Sequence, residues 1–164
     1  MPPSYPQRRS LRLTDYDYRQ AGVYLVTLCV AQRTCRFGRI EGEEMVLSTQ
    51  GRIVETAWWW LQEQYPYVEL DEWITMPNHS HGLLVLTPEE GQKTKPLGRL
   101  IGAFKTVSTK LIHTLPGMED EGIWQRDFYE RVIRNEQELH RARTYIVQNP
   151  MKWSLDRENP DCVG

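Results

Sequence analysis

Cysteine is scarce in this chain. Cys29, Cys35 and Cys162 are an odd set with no CxxC pair, which speaks against a disulfide framework or a zinc knuckle and for a reducing cytoplasm. Long apolar runs are also missing: no segment approaches the roughly 18 residues of a membrane span. The opening Met1-Pro2-Pro3-Ser4-Tyr5-Pro6-Gln7-Arg8-Arg9 has no apolar centre of the kind a secretory leader carries. A soluble, cytoplasmic protein is expected. There is no internal repeat and no low-complexity segment, so a solenoid is not indicated. Acid is absent between residues 96 and 115, where Arg99, Lys105 and Lys110 stand without a counter-charge.

What remains is a chain of 164 residues that is 40% hydrophobic, enough for one domain with a real core. The net charge of -2 conceals a segregation. Residues 37–75 hold Glu41, Glu43, Glu44, Glu55, Glu63, Glu69, Asp71 and Glu72 against only Arg39 and Arg52. The first 36 residues carry Arg8, Arg9, Arg12, Arg19, Arg33 and Arg36 against Asp15 and Asp17. One basic surface and one acidic back are expected.

Residues 1–20, rich in Pro, Arg and Tyr, form a basic arm, residues 21–153 the domain, and residues 154–164 a C-terminal tail. The β-branched run from Gly22 to Val30 is apolar on both alternations, as in a central strand covered on both faces. Phe37 to Glu41 and Glu44 to Leu47 read as a hairpin around Gly42. A helix over residues 49–64 places Ile53, Ala57, Trp60 and Leu61 on its core stripe, leaves Trp59 on the flank, and stops before Pro66. Strands 68–76 and 79–86 meet at the Pro77-Asn78 turn. A second helix spans residues 97–115, with Leu97, Leu100, Ile101, Phe104, Val107, Leu111 and Leu115 inward and Arg99, Thr106, Thr109, Lys110 and His113 outward. That outer face suits phosphate contacts, although three cations over five turns are equally an ordinary wet surface. Residues 124–134 read as a last strand, and Asn135 caps a helix with Glu138 as capping-box partner.

Two of the four histidines, His79 and His81, lie one residue apart at the head of an apolar strand. Residues at i and i+2 of a strand share a face, so the two imidazoles aim at one point, as in a divalent-cation site. Two ligands are not a site, and a His-x-His pair also occurs on a plain polar face. Further along, Tyr145 and Asn149 are four residues apart on one helix face, and Pro150 ends the helix at Asn149. Two imidazoles, a carboxamide and a phenol suit a cation that polarises a phosphate oxygen and a tyrosine that becomes a covalent nucleophile.

Four motifs in order make the chain similar to a known family: Arg9-Ser10-Leu11-Arg12-Leu13 with Tyr16-Asp17-Tyr18, Met76-Pro77-Asn78-His79-Ser80-His81-Gly82, Trp124-Gln125-Arg126-Asp127-Phe128-Tyr129, and Tyr145-Ile146-Val147-Gln148-Asn149-Pro150. They resemble the single-tyrosine HUH transposases and, among these, the REP-associated tyrosine transposases. The resemblance covers nearly the whole chain. It implies an α+β fold, a ferredoxin-like antiparallel sheet with helices packed against it. It further implies cleavage and rejoining of single-stranded DNA, often at hairpin-flanked sites, through a 5′-phosphotyrosine link. By the same resemblance, Tyr145 is the nucleophile, and His79, His81 and Asn149 hold Mg²⁺ or Mn²⁺. Arg9, Arg12, Arg99, Lys105, Lys110 and Arg126 are the candidate contacts to single-stranded or hairpin DNA. A homodimer is compatible with the sequence, which carries no signature of oligomeric state.

One position departs from the family pattern. The residue between the histidines is usually bulky and apolar, and here it is Ser80, whose side chain is expected on the covered face of the sheet. That departure keeps open a catalytically silent single-strand nucleic-acid binder, and a hydrolase using water would leave Tyr145 a packing residue. Tyr129 is a rival phenol, expected in a strand without a ligand beside it.

Overall fold

The protein is described by a computed structural model over residues 21–160. Its frame is β1 (Gly22–Cys29), α1 (Thr49–Gln64), β4 (Val68–Met76), β5 (His79–Leu86), α2 (Leu97–Ile112) and β6 (Tyr129–Ile133), with the hairpin β2 (Gly38–Glu41) and β3 (Glu44–Leu47) inserted before α1 and α3 (Glu136–Gln148) added after β6. The sheet runs β4-β5-β1-β6, and each neighbouring pair is antiparallel. This is the ferredoxin-like α+β arrangement: two split β-α-β units place the first strand beside the third and fourth.

Alternation along the strands sorts the side chains onto two faces. Tyr24, Val26, Leu28, Leu84 and Leu86 are buried with Val54, Ala57, Trp58 and Leu61 of α1 and Leu97, Leu100, Ile101 and Phe104 of α2. The opposite face carries Leu83, which packs against Ala142 and Ile146 of α3 with Val23, Leu25 and Ile74 around them. Gly82 lies on the first face, beneath the stacked indoles of Trp58 and Trp73, whose centroids are 4.1 Å apart. Ser80 lies there too, in register with Leu28 and Thr75, and its hydroxyl is buried without a hydrogen-bond partner. It therefore points away from the histidine rings.

The helices start where the sequence signals them. Ser48 Oγ accepts from the Gly51 N–H at 3.1 Å at the head of α1, and Asn135 Oδ1 accepts from the Glu138 N–H at 2.9 Å at the head of α3. Glu138 returns a bond to the Arg134 N–H at 2.8 Å rather than to the cap residue itself.

Three expectations need correction. On α1 the fully buried indole is Trp58, while Trp60 is only partly buried and Trp59 is 49% exposed; the core stripe is Val54-Ala57-Trp58-Leu61, one residue round from the reading centred on Trp60. Helix α2 ends at Ile112, and its inner face passes through Ser108 and Ile112 while Leu111 is 39% exposed. Ser108 is accommodated because its hydroxyl donates to the Phe104 carbonyl at 2.8 Å and accepts from Trp124 Nε1 at 2.9 Å. The last strand is only Tyr129–Ile133: Trp124 makes a single bridge to Val30, and the carbonyls of Gln125, Arg126 and Asp127 accept from Lys105 Nζ at 2.8, 3.3 and 3.1 Å instead of pairing in a ladder. Beyond α3, Asp156 and Asn159 are buried.

Candidate active site

The site forms on the α3 face of the sheet, where β5 leaves the Pro77-Asn78 turn. His79 and His81 are both fully buried, with ring centroids 4.7 Å apart. Each ring is held through Nδ1: His81 by Thr27 Oγ1 at 2.8 Å and His79 by Asn78 Oδ1 at 2.9 Å. Partners of this kind fix the orientation of imidazoles whose other nitrogen does the chemistry. The Nε2 atoms then face α3 and the segment beyond its C-terminus. His81 Nε2 is 3.4 Å from the Tyr145 hydroxyl, and His79 Nε2 is 3.6 Å from Asp156 Oδ2.

Helix α3 delivers Tyr145 and Asn149 to this point. Its Ala142–Ile146 stripe seats it on Leu83, and Arg143 clamps Asp71, in the β4 bulge between Leu70 and Trp73, through two bonds of 2.8 and 2.6 Å. Asn149 is buried, and its Nδ2 donates to the Tyr145 carbonyl at 3.1 Å. That bond turns the amide oxygen, the metal-seeking end, away from the helix. Pro150 opens the 3-10 helix Pro150–Leu155, which lays Trp153 across the His79 ring at 6.1 Å between centroids.

Burial in this apolar setting governs the electrostatics. It pushes the His79 imidazole down to about 4, opposed by the charge of Glu158 and by the Asn149 amide. It carries His81 well below its ordinary value, with the neighbouring His79 adding to the effect. Both rings are thus neutral near pH 7, the form a metal requires. Cys29, in register with His79, has its thiol pushed up to about 12 by burial and stays protonated.

These shifts make stability depend on pH. Between pH 6.5 and about 4 the unfolded chain binds protons that the folded His79 refuses, so stability present above pH 6.5 is lost as pH falls through that window. His79 alone accounts for about 3 kcal/mol. Burial raises the Asp156 carboxyl, which offsets part of the loss at the acidic end. Thermal denaturation followed across pH 7 to 4 should show a falling midpoint, and a flat profile would contradict the burial of the pair.

The other expected site residues are dispersed. Arg9 and Arg12 lie outside the described residues. Arg99 and Lys110 are exposed on α2, on the far side of the sheet from the histidines. Lys105 is committed to the carbonyls of residues 125–127, and burial lowers its ammonium to about 8; it shapes the loop rather than offering a free charge. Arg126 is exposed on that loop, beside the end of β1 that pairs with His79. Tyr129 sits nearer than expected: it and His81 both pair with Thr27, so the three share a face. Thr27 and Asp156 had no signal in the sequence, since neither stands at a motif spacing. A cavity of about 220 Å³ beside Tyr145, lined in part by Arg131 and Arg141, also depends on the packing of α3 against β6.

Among the described residues no three His, Cys, Asp or Glu side chains are grouped to hold a metal, so a third donor beside the imidazoles has to be an amide such as Asn149. The donor chemistry otherwise fits a divalent cation: His79 Nε2 is buried with no hydrogen-bond partner. No described helix is long and apolar enough to cross a membrane.

The fold has counterparts among known proteins. No family model matches the chain. An uncharacterized Haemophilus influenzae protein is 32% identical over 167 residues, covering 92% of each chain. A second protein of that organism, described as a "putative REP-associated tyrosine transposase", is 25% identical over 140 residues, 83% of this chain and 74% of its own. A REP-associated tyrosine transposase solved bound to a REP hairpin superposes with a TM-score of 0.63 at 22% identity, over 86% of this chain and 73% of that one. A "putative transposase" from Deinococcus radiodurans gives 0.54 at 14% identity, over 84% and 96%. The chain shares a family with the first of these and is similar to REP-associated tyrosine transposases in sequence and in fold. The similarity supports a transposase-like function.

Proposed function

We propose that the protein cleaves and rejoins single-stranded DNA at hairpin sites through a covalent link to Tyr145. The observation that carries the reading is the Tyr145 hydroxyl 3.4 Å from Nε2 of His81, on a helix that ends at Asn149 one turn later. In the reaction the Tyr145 oxygen loses its proton and bonds to phosphorus. The bond from phosphorus to the 3′-oxygen breaks, leaving a 5′-phosphotyrosine and a free 3′-hydroxyl. His79, His81 and Asn149 would hold Mg²⁺ or Mn²⁺, which when bound neutralises charge on the phosphate and favours the phenolate. The REP hairpin belongs to the solved relative, and its chemistry makes hairpin DNA the substrate to test here.

The direct experiment is incubation of labelled hairpin-flanked single-stranded DNA with the protein and Mn²⁺, followed by a denaturing gel. A band surviving denaturation is expected. Binding without any such band, across cognate flanking sequences, would instead favour a silent binder. Ser80 does not favour that alternative, because its hydroxyl is on the far face of β5 from the imidazoles.

Phosphate contacts on the histidine side should dominate affinity. Reversing Arg126 or Arg141 to Glu should weaken binding about tenfold and flatten the dependence of log K on log salt by about 1. Reversing Arg99 and Lys110 together should cost less. Equal losses in the two sets, measured by salt titration of a fluorescent hairpin, would move the DNA path to the α2 face.

A further inference from the structure

We propose that Lys105 is a positioning residue for DNA binding: its ammonium touches no DNA and instead fixes the 125–127 loop, so that Arg126 is presented beside the end of β1 that pairs with His79. This rests on the reading of the protein as one that binds and cuts hairpin-flanked DNA, and it removes Lys105 from the set of phosphate contacts. A lysine ammonium has three N–H donors and no acceptor. Here it has three acceptors, the carbonyls of Gln125, Arg126 and Asp127, at 2.8, 3.3 and 3.1 Å from Nζ. The Phe128 ring lies against the same ammonium, its centroid 5.8 Å from Nζ, within reach of a cation–π contact. A phosphate oxygen can be bound there only if a carbonyl is given up.

The loop is fastened on two sides. Ser108, one turn beyond Lys105, accepts from Trp124 Nε1 at 2.9 Å, so a single turn of α2 grips residues 124 to 127. On the sheet side, the Gln125 N–H donates to the Cys29 carbonyl at 2.9 Å and Gln125 Nε2 donates to the Val30 carbonyl at 3.2 Å. Val30 in turn gives its N–H to the carbonyl of Asn78 at 2.9 Å, the residue before His79. Hydrogen bonds thus run from α2 through the loop and the end of β1 to the histidine turn. Within residues 124–129 the exposed positions are Arg126 and Asp127, and of these Arg126 carries the charge that suits a phosphate.

Charge is what closes this arrangement. Three successive carbonyls that converge on one atom have no ladder to pair with, and backbone acceptors removed from water need a donor. Lys105 is half-buried, unlike the exposed Arg99 and Lys110 of the same helix. Burial lowers its ammonium to about 8, so it still carries a proton on every donor at neutral pH. Taking the charge away frees the loop while leaving Arg126 in the chain, and affinity is then lost through Arg126 rather than through a missing contact.

The test is a double-mutant cycle on the full chain, read by titration of a fluorescent single-stranded hairpin DNA. Lys105→Met keeps the apolar stem and removes the charge; it should weaken binding about fivefold to tenfold, and less than about twofold further when Arg126 is already alanine. Equal losses in the two backgrounds would make Lys105 an independent contact and overturn the proposal. A second measurement needs no DNA: trypsin should cut the Arg126–Asp127 bond of the free protein at least about tenfold faster in Lys105→Met than in wild type. Unchanged cleavage there overturns the proposal even if the hairpin binds as expected. Chemical rescue separates the hydrogen bonds from the bulk of the side chain. Ethylammonium should restore hairpin affinity to Lys105→Ala, and tetramethylammonium at the same concentration, which has no N–H to offer, should not; equal effects of the two salts would count against the carbonyl contacts. A wild type that binds no hairpin DNA, with the loop still loosened in Lys105→Met, would overturn the DNA reading itself and the binding role of Lys105 with it.

Discussion

Tyr145→Phe should abolish covalent attachment to DNA, by at least about 1,000-fold, or more than about 4 kcal/mol of barrier, while the protein stays folded and binds DNA as before. The phenol oxygen is the only heavy atom removed. Its contact with His81 Nε2 is long, at 3.4 Å, so the stability lost should be under about 1 kcal/mol. The ring still packs beside Ala142 and Ile146. The comparison that gives the result meaning is Tyr129→Phe. That phenol shares the sheet face with His81 across Thr27, so a rival nucleophile is placed within the neighbourhood. A denaturation-resistant band that persists in Tyr145→Phe and vanishes in Tyr129→Phe would transfer the role. If both variants keep the band, the linkage is to neither.

Gly82→Ala should be strongly destabilising. A Cβ built at Gly82 lies 2.5 Å from Cε3 of Trp73 and 2.7 Å from Cζ2 of Trp58, both ring atoms in a packed stack. Trp58 is fully buried and edges onto Phe104 at 5.5 Å, so it has little room to retreat. Overpacking of this severity costs about 3 kcal/mol, which for a domain of this size lowers the melting midpoint by roughly 10 °C. Gly102 provides the contrast: nothing lies within 4 Å of its Cβ position on α2, and Gly102→Ala should be neutral or stabilising by up to about 1 kcal/mol. Equal midpoints for the two variants would mean that the indoles yield, and that the glycine after the second histidine is not there for packing.

The ferredoxin-like frame was legible because its elements carry strong local signals. The run of β1, the stop at Pro66, the Pro77-Asn78 turn and the Asn135 cap each fix a boundary by short-range chemistry. What failed was phase and context. Trp58, Trp59 and Trp60 are one apolar block in the sequence, and only contact with Trp73 and Phe104 selects Trp58 for the interior. Residues 124–128 have strand-like composition, but the Lys105 ammonium takes their carbonyls from twenty residues away. At the site, the His-x-His spacing and the four-residue step from Tyr145 to Asn149 were readable as local geometry. Asp156 was not, because a single aspartate near a chain end has no periodicity, and its meaning comes entirely from where the 3-10 helix after Pro150 sets it down.

The sidedness of β5 has an evolutionary consequence. Residues 80, 82, 84 and 86 face the main core, whereas residues 79 and 81 bear the candidate metal ligands, so on the proposed reading selection on folding and selection on chemistry act on alternate letters of one word. A lineage that stops needing strand cleavage can lose a histidine and keep a well-folded protein, which would drift for a long time under the constraint of solubility alone. Survival of the architecture among descendants is therefore a poor witness of activity. The letters to read are residues 79 and 81.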